Sequence, residues 1–241
     1  MEAERKGRLG ILGGLGPMTT AVFIEMLVEM TDADKDQEHI SMVIEHCPEV
    51  PDRTDYILGR SDISPVDGMV KAMKRLCRSG ADEIAIPCFT AHYFHNKMQE
   101  KIPVPIINGI EETAKALALA GVSSAGVMAT DGTVHAGLFK SALEEKGIAC
   151  IYPDAARQKK VMGLIYENVK AGKPTSPEDF YEIKRHLNVK GAETVILGCT
   201  ELSVIANDLP DKKGLTDAMR ILSACAVRKF GALKREYETL I

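Results

Sequence analysis

The chain has 241 residues, a length that suits two domains of about 110–120 residues better than one compact domain. Its hydrophobic fraction of 45%, charged fraction of 27% and formal net charge of −4 are ordinary, and they give no electrostatic reason to expect binding to nucleic acid or an anionic membrane. No apolar stretch approaches the roughly 20 residues that span a bilayer, so we expect a cytoplasmic enzyme.

Short apolar runs alternate with amphipathic helical segments along the chain. Runs that are short and apolar throughout are typical of strands in a parallel sheet covered on both faces. Six such runs are predicted to be strands: 9–12, 41–45, 84–86, 125–128, 148–152 and 194–197. This alternation predicts an α/β fold of the doubly wound type.

The clearest predicted helix is Val66–Arg78, because its apolar residues recur at helical spacing. Ser64 is the expected N-cap, Pro65 occupies the first helical position and Gly80 follows the end.

The two halves of the sequence repeat one another. Residues 80–88 match residues 191–199, since each segment has a Gly-Ala-acidic entry, a buried strand and a cysteine at the end of the strand. A second match pairs residues 10–13 with residues 126–129, and a turn of small residues follows each of them. The repeat predicts two α/β domains related by pseudo-symmetry.

We expect the first domain to comprise residues 1–112 together with a C-terminal helix over 217–241, and the second to comprise residues 113–216. In open α/β sheets, ligands bind beyond the carboxyl ends of the strands. Two such domains that face one another would place Cys88 and Cys199 on opposite walls of a single active-site cleft.

Two thiols on opposite sides of one carbon atom are suited to inverting its stereochemistry. One sulfur removes a proton as a thiolate base, and the other delivers a proton as a thiol acid. Cys88 and Cys199 each end a strand and begin a predicted helix, where backbone N–H groups and the helix dipole lower a thiol pKa. The simpler alternative is that each is a small buried apolar residue. Their matched placement favours the functional interpretation.

The other four cysteines do not form a recognisable framework. Cys77, Cys150 and Cys225 lie on predicted buried faces, whereas Cys47 lies near a loop that could reach the cleft. No Cys-x-x-Cys motif occurs, and the spacing resembles neither a disulfide scaffold nor a zinc ribbon. We therefore expect free thiols in a reducing compartment.

Five short elements, spread in order over almost the whole chain, resemble those of the aspartate/glutamate racemase family. The Pro-Asp-Arg-Thr element is typical of its aspartate racemase branch. The elements are 11–17 (Ile-Leu-Gly-Gly-Leu-Gly-Pro), 51–54 (Pro-Asp-Arg-Thr), 88–92 (Cys-Phe-Thr-Ala-His), 128–134 (Met-Ala-Thr-Asp-Gly-Thr-Val) and 198–202 (Gly-Cys-Thr-Glu-Leu).

The resemblance implies a racemase that interconverts L- and D-aspartate, with glutamate as a further candidate substrate. The implied mechanism is a 1,1-proton transfer between Cys88 and Cys199 that needs neither pyridoxal phosphate nor any other cofactor or metal. The resemblance also implies a homodimer. It implies that Arg53 recognises the side-chain carboxylate, assisted by Lys170. One departure affects substrate recognition, because Phe89 stands where the family has an asparagine.

The resemblance implies further substrate contacts. Thr90 and Thr200, which closely follow the two cysteines, would hydrogen-bond the substrate carboxylate or amine. Thr130 and Thr133 would contribute from the opposite domain. Gly14 would let the backbone approach the substrate, since glycine has no Cβ atom.

Several alternatives remain open. Residues 13–16 lack the Gly-Lys-Ser/Thr of a phosphate-binding loop, and a metal site built on Cys88, His92 and His95 would need further ligands. Phe89 keeps open a related racemase for hydantoins or for a broad range of amino acids. A catalytically silent carboxylate-binding protein and, more distantly, a metal-dependent hydrolase are the alternatives from other classes.

Overall fold

The computed structural model describes residues 7–239 as an assembly of short parallel strands and helices. Its strands are β1 (Arg8–Gly13), β2 (Ser41–His46), β3 (Glu83–Ala85), β4 (Ser124–Met128), β5 (Ala149–Ile151), β6 (Thr194–Leu197) and β7 (Leu215–Asp217). Its α-helices are α1 (Pro17–Met30), α2 (Arg53–Ile57), α3 (Val66–Arg78), α4 (His95–Gln99), α5 (Gly109–Leu119), α6 (Asp131–His135), α7 (Leu138–Glu144), α8 (Ala155–Met162), α9 (Pro177–Val189), α10 (Thr200–Asn207) and α11 (Ala218–Phe230). Three 3₁₀ helices (Asp36–Glu38, Phe89–Phe94 and Arg235–Tyr237) and a π-helix (Gly163–Val169) complete the set.

The strands form two parallel sheets with the same internal order. The first sheet has the order β2-β1-β3, and the second has the order β5-β4-β6-β7. An isolated parallel bridge between Ile84 and Ile106 lies where β7 would lie in the first sheet. The α/β fold with parallel sheets is therefore confirmed, and the repeated strand order agrees with the pseudo-symmetry predicted from the sequence.

Three apolar clusters fill the interior. One consists of residues from the first sheet and its helices, and a second of residues from the second sheet and its helices. The third joins Leu9 and Ile11 of β1, Val127 of β4 and Leu222 of α11 in one continuous core. Because this shared core ties the halves together, the exact division into two domains stays a prediction.

The predicted strands agree with the observed ones to within one residue at each end, and α3 spans Val66–Arg78 as predicted. Pro65, predicted to be the first helical residue, is instead the N-cap, and the Ser64 hydroxyl accepts from the Val66 N–H. β7 was missed because three residues form no recognisable apolar run. The predicted C-terminal helix over 217–241 is wrong in its extent. α11 ends at Phe230, where the backbone becomes extended at Gly231, and residues 240–241 lie outside the described part.

Between residues 7 and 239, no helix is long and apolar enough to cross a membrane.

Candidate active site

The two predicted catalytic cysteines follow equivalent strands of the two sheets. Cys88 lies after β3 and caps the 3₁₀ helix Phe89–Phe94, whereas Cys199 lies after β6 and caps α10. Both are buried, each with 7% of its surface exposed. Backbone N–H groups at the first turn of a helix have no partner within the helix and attract negative charge. Each cysteine is therefore placed where a thiolate can be stabilised.

Both cysteines line one small enclosed space, the inner cavity, of about 10 Å³, which is room for about one water molecule. An amino acid needs more space, so the site must open to admit one. The wall of the inner cavity comes from both halves of the chain: Leu15, Asp52, Arg53, Thr54, Cys88, Phe89, Thr90, Thr130, Tyr166, Lys170, Cys199, Thr200 and Glu201.

A larger cavity of about 520 Å³, the vestibule, adjoins the inner cavity. Leu15, Asp52, Arg53, Lys170 and Glu201 line both spaces and form the partition between them. The partition thus brings together two cations and two carboxylates, and these are the groups that a substrate entering from the vestibule meets first.

Glu201 contacts the second cysteine directly. The Cys199 thiol donates to Oε2 of Glu201 over 2.8 Å, and the Glu201 side chain is itself buried. Burial raises the pKa of the Cys199 thiol well above its ordinary value, and the Glu201 carboxylate raises it further. The sequence predicted a lowered pKa at this helix N-terminus. That prediction is wrong for Cys199, because burial and a neighbouring carboxylate outweigh the backbone N–H groups.

Arg53 begins α2 and is held by backbone carbonyl groups. Nη1 donates to the oxygens of Val50 and Pro51 at 3.2 and 3.0 Å, and Nη2 donates to that of Leu15 at 2.7 Å. Its Nε has no hydrogen-bond partner among the described residues. Nε and Nη2 lie along one edge of the planar guanidinium, so this edge can still donate to a carboxylate.

Arg53 also lies beside the first cysteine. Burial acts to lower the pKa of Arg53, but Cys88 and Asp52 raise it, and the net shift is upward. Because electrostatic attraction is mutual, the guanidinium is a counter-ion for negative charge on the Cys88 sulfur. The two thiols therefore have opposite neighbours, a cation at Cys88 and a carboxylate at Cys199.

Three threonines form a hydrogen-bonded cluster between the halves. Thr90 Oγ1 lies 2.9 Å from Thr130 Oγ1 and 3.0 Å from Thr133 Oγ1, and Thr130 and Thr133 are 3.0 Å apart. Thr133 does not line the inner cavity, whereas Thr90 and Thr130 do. Thr200 lies apart from this cluster, with its hydroxyl 3.4 Å from the Pro87 carbonyl oxygen.

The π-helix carries two side chains to the partition. The Tyr166 hydroxyl donates to the Asp52 carboxylate at 3.1–3.2 Å, which links the second half of the chain to the first. Lys170, at the end of the π-helix, pairs with Oε1 of Glu201 at 3.4 Å and lies 5.0 Å from the centre of the Tyr166 ring. Burial opposes the charge of Lys170, but Glu201 and Cys199 raise its pKa above the ordinary value.

Gly14 lies in the wall of the vestibule rather than of the inner cavity. Its φ of +87° is left-handed, and a Cβ atom here would lie 2.4 Å from the backbone nitrogen of Cys47. Glycine is therefore required at this position by backbone packing alone. Cys47 itself is buried and does not line the inner cavity.

Phe89 is 1% exposed and packs into the protein core. Its ring stacks on His92 with centroids 5.6 Å apart and tilts against Phe139 at 5.8 Å. A Cβ atom at Gly109 would come within 2.9 Å of this ring, so Gly109 leaves the space that the ring needs. The aromatic side chain is thus accommodated by its surroundings inside the fold.

His92 braces the first cysteine. Its Nδ1 lies 3.1 Å from the Cys88 carbonyl oxygen, and its Nε2 accepts from the Gly109 N–H at 3.1 Å. Burial lowers the pKa of His92 to about 4, so the ring is neutral. Both ring nitrogens are engaged, which leaves neither for a metal. No group of three potential metal-binding side chains occurs within residues 7–239.

The inner cavity brings together eight of the residues singled out from the sequence: Cys88, Cys199, Arg53, Thr90, Thr130, Thr200, Lys170 and Phe89. Sequence reasoning missed Glu201, Tyr166 and Asp52. Glu201 lies within the Gly-Cys-Thr-Glu-Leu element and Asp52 within the Pro-Asp-Arg-Thr element, so both were within motifs already noted. No comparable sequence signal marks Tyr166.

Comparison with known proteins agrees with this architecture. The family model described as Asp/Glu/Hydantoin racemase matches residues 12–226. A solved aspartate racemase of Picrophilus torridus has 30% sequence identity and a TM-score of 0.86, covering 97% of this chain and 99% of that one.

Curated relatives extend the comparison. The broad-specificity amino-acid racemase of Bacillus subtilis is 26% identical over 232 residues, 92% of this chain and 97% of that protein. A glutamate racemase of Deinococcus radiodurans is 27% identical over 174 residues, 70% of this chain and 59% of that protein. The chain therefore belongs to the Asp/Glu/hydantoin racemase family and is an isomerase of the amino-acid racemase class.

Replacement of Phe89 tests whether its ring serves the core. We expect Phe89→Asn to lower the free energy of unfolding by roughly 3–5 kcal/mol, because it removes a buried ring and leaves an amide without partners. Phe89→Leu, which stays apolar, should cost clearly less. Urea unfolding measures both variants. A stable Phe89→Asn protein with raised activity on aspartate would show instead that this side chain reads the substrate.

His92 predicts a pH-dependent stability. With a folded-state pKa of about 4 against an ordinary value of 6.5, the unfolded chain binds the proton first. The contribution is present above pH 6.5 and is lost as the pH falls toward 4, amounting to roughly 3 kcal/mol. Unfolding free energies measured from pH 7 to 4.5 should fall less steeply in His92→Gln than in wild type. Exposed His135→Gln is the control, and equal slopes in all three proteins would contradict the prediction.

Proposed function

We propose that the chain interconverts L- and D-aspartate by proton transfer between Cys88 and Cys199 without a cofactor. The observation that carries the proposal is the inner cavity, which two buried thiols enter from equivalent strands of two sheets. Inversion needs a base on one face of the Cα atom and an acid on the other. Glutamate, with the same terminal carboxylate on a longer side chain, is the further candidate substrate.

The neighbours of the two thiols support a division of roles. Cys88 is beside the Arg53 cation, whereas Cys199 holds its proton against the Glu201 carboxylate. In this protonation state Cys88 removes the α-proton and Cys199 delivers a proton to the opposite face. The reverse reaction exchanges these roles and requires the proton of Cys199 to leave first.

The partition supports an acidic substrate. Arg53 has an unpartnered Nε, and with Nη2 it presents a planar edge that suits a side-chain carboxylate. Lys170 adds a second cation at the same place. A charge-assisted hydrogen bond of this kind contributes about 1.5–3 kcal/mol.

The α-carboxylate is the group that must take up charge as the α-proton leaves. Backbone N–H groups after Cys88 and Cys199, together with the hydroxyls of Thr90, Thr130 and Thr200, are the donors available to it. A backbone donor does not depend on the side chain it belongs to. The phenylalanine at position 89 is therefore compatible with carboxylate binding, and Thr133 acts through its bonds to Thr90 and Thr130.

A racemase of broader specificity is the second candidate. The vestibule of about 520 Å³ offers room beyond the partition for a side chain longer than that of aspartate. A homodimer and a cytoplasmic location, both expected from the sequence, stay predictions.

Single cysteine replacements test the two-base mechanism. Cys88→Ser and Cys199→Ser should each lower racemisation of aspartate by at least about 10³-fold, since one face loses its acid or base. Each variant should still exchange the α-proton of one enantiomer in D₂O, and the surviving enantiomer should differ between them. NMR and chiral chromatography measure the two processes. Cys225→Ser is the control, and near-normal inversion by either active-site variant would exclude the mechanism.

Arg53 replacements test the substrate. Arg53→Ala should reduce kcat/KM for aspartate by about 10²-fold, through loss of a charge-assisted contact. Because Arg53 also holds three carbonyl groups, asparagine exchange is measured in parallel and should fall much less. Arg53→Lys keeps the charge but not the fork and should be intermediate. An equal loss for aspartate and asparagine would assign Arg53 a structural role.

A further inference from the structure

Glu201 has a geometry that the two-cysteine mechanism does not use. One carboxylate oxygen, Oε2, lies 2.8 Å from the Cys199 sulfur and accepts its thiol proton. The other, Oε1, is buried without a hydrogen bond and has only the Lys170 ammonium at 3.4 Å. A buried carboxylate with half of its hydrogen-bonding capacity unused calls for a functional explanation.

Cys199 is a thiol at rest, because burial and the Glu201 carboxylate both raise its pKa. It can act as a base only after that proton has moved. The other titratable groups around the inner cavity are poor acceptors. Arg53 and Lys170 are cations, Tyr166 keeps its proton because burial raises its pKa, and Asp52 accepts from the Tyr166 hydroxyl.

Resting on the proposed racemase function, we propose that Glu201 accepts the proton of Cys199 whenever Cys199 acts as the base. The S–H bond breaks, an O–H bond forms on Oε2, and the electron pair stays on sulfur as a thiolate. The thiolate then removes the α-proton, while the Cys88 thiol protonates the opposite face and becomes a thiolate. When product leaves, the proton on Glu201 returns through water to Cys88, and the starting state is restored.

Lys170 makes this transfer sensitive to the substrate. Its ammonium favours the charged form of Glu201 and so opposes protonation of that carboxylate. A side-chain carboxylate arriving at the partition competes with Glu201 for the same ammonium. Once Lys170 pairs with the substrate, Glu201 becomes the stronger base and Cys199 loses its proton more readily. An acidic side chain thus promotes catalysis in addition to binding.

The proposal predicts a defect in only one half of the mechanism. When Cys88 is the base, Cys199 needs only its own proton and Glu201 is not required as an acceptor. When Cys199 is the base, Glu201 is essential. Racemisation rates cannot separate these cases, because the equilibrium constant between enantiomers is one and both directions slow together. Exchange of the α-proton with D₂O follows each base separately.

The experiment compares α-proton exchange of L- and D-aspartate in wild type and Glu201→Gln. The Cys88→Ser and Cys199→Ser variants establish which enantiomer faces which sulfur. Glu201→Gln should slow exchange of the enantiomer facing Cys199 by about 100-fold, the range for loss of a general base. Exchange of the enantiomer facing Cys88 should be largely retained, and Glu201→Asp should recover part of the lost rate.

The controls separate the possible outcomes. Glu145→Gln, an exposed replacement of the same type, should match wild type. Circular dichroism and thermal unfolding check that Glu201→Gln is folded, and Glu201→Asp provides the test if it is not. Equal loss for both enantiomers, or no loss for either, overturns the role of Glu201 while leaving the racemase intact. If wild type exchanges neither enantiomer of any acidic amino acid, the proposed function fails and this inference fails with it.

Discussion

The convergence of two sheets on one small space determines the rest of this structure. Parallel strands release their side-chain-bearing loops at one edge, and here the edges of two sheets meet at the inner cavity. The apolar cluster that joins β1, β4 and α11 holds the sheets in that relation. The cysteines, the threonine cluster and the tyrosine–aspartate link all depend on it, because each joins residues from opposite halves of the chain.

Within this pseudo-symmetric frame, the chemistry is asymmetric. The two cysteines are equivalent in the fold, yet one has an arginine beside it and the other a carboxylate. A symmetric pair of sulfurs would have no preferred protonation state. The different neighbours instead specify which sulfur holds the proton at rest, while the backbone geometry around both stays alike. Charge placement therefore varies independently of the fold.

The sequence predicted those features that repeat or that follow regular periodicity. Cys88 and Cys199 were found because both ends of the repeat carry the same residue. Glu201 was missed for the converse reason, since Thr90 is its counterpart in the first half and the comparison conceals a difference. Tyr166 and Lys170 belong to a π-helix, and periodicity analysis assumes 3.6 residues per turn. The position of Phe89 in the core depends on Gly109 and Phe139, which are distant in sequence.

The π-helix has a consequence for how relatives of this protein can diverge. The Lys170 N–H bonds to the Ile165 carbonyl group, five residues back, so the segment holds an extra residue compared with an α-helix. Loss of a single residue here would restore the α-helical ladder and rotate the residues after the deletion by about 100° around the helix axis. Lys170 would then turn away from the partition while both cysteines stayed in place. One-residue insertions and deletions in this segment are thus a route by which the charge that meets the substrate can be exchanged without altering the proton-transfer pair.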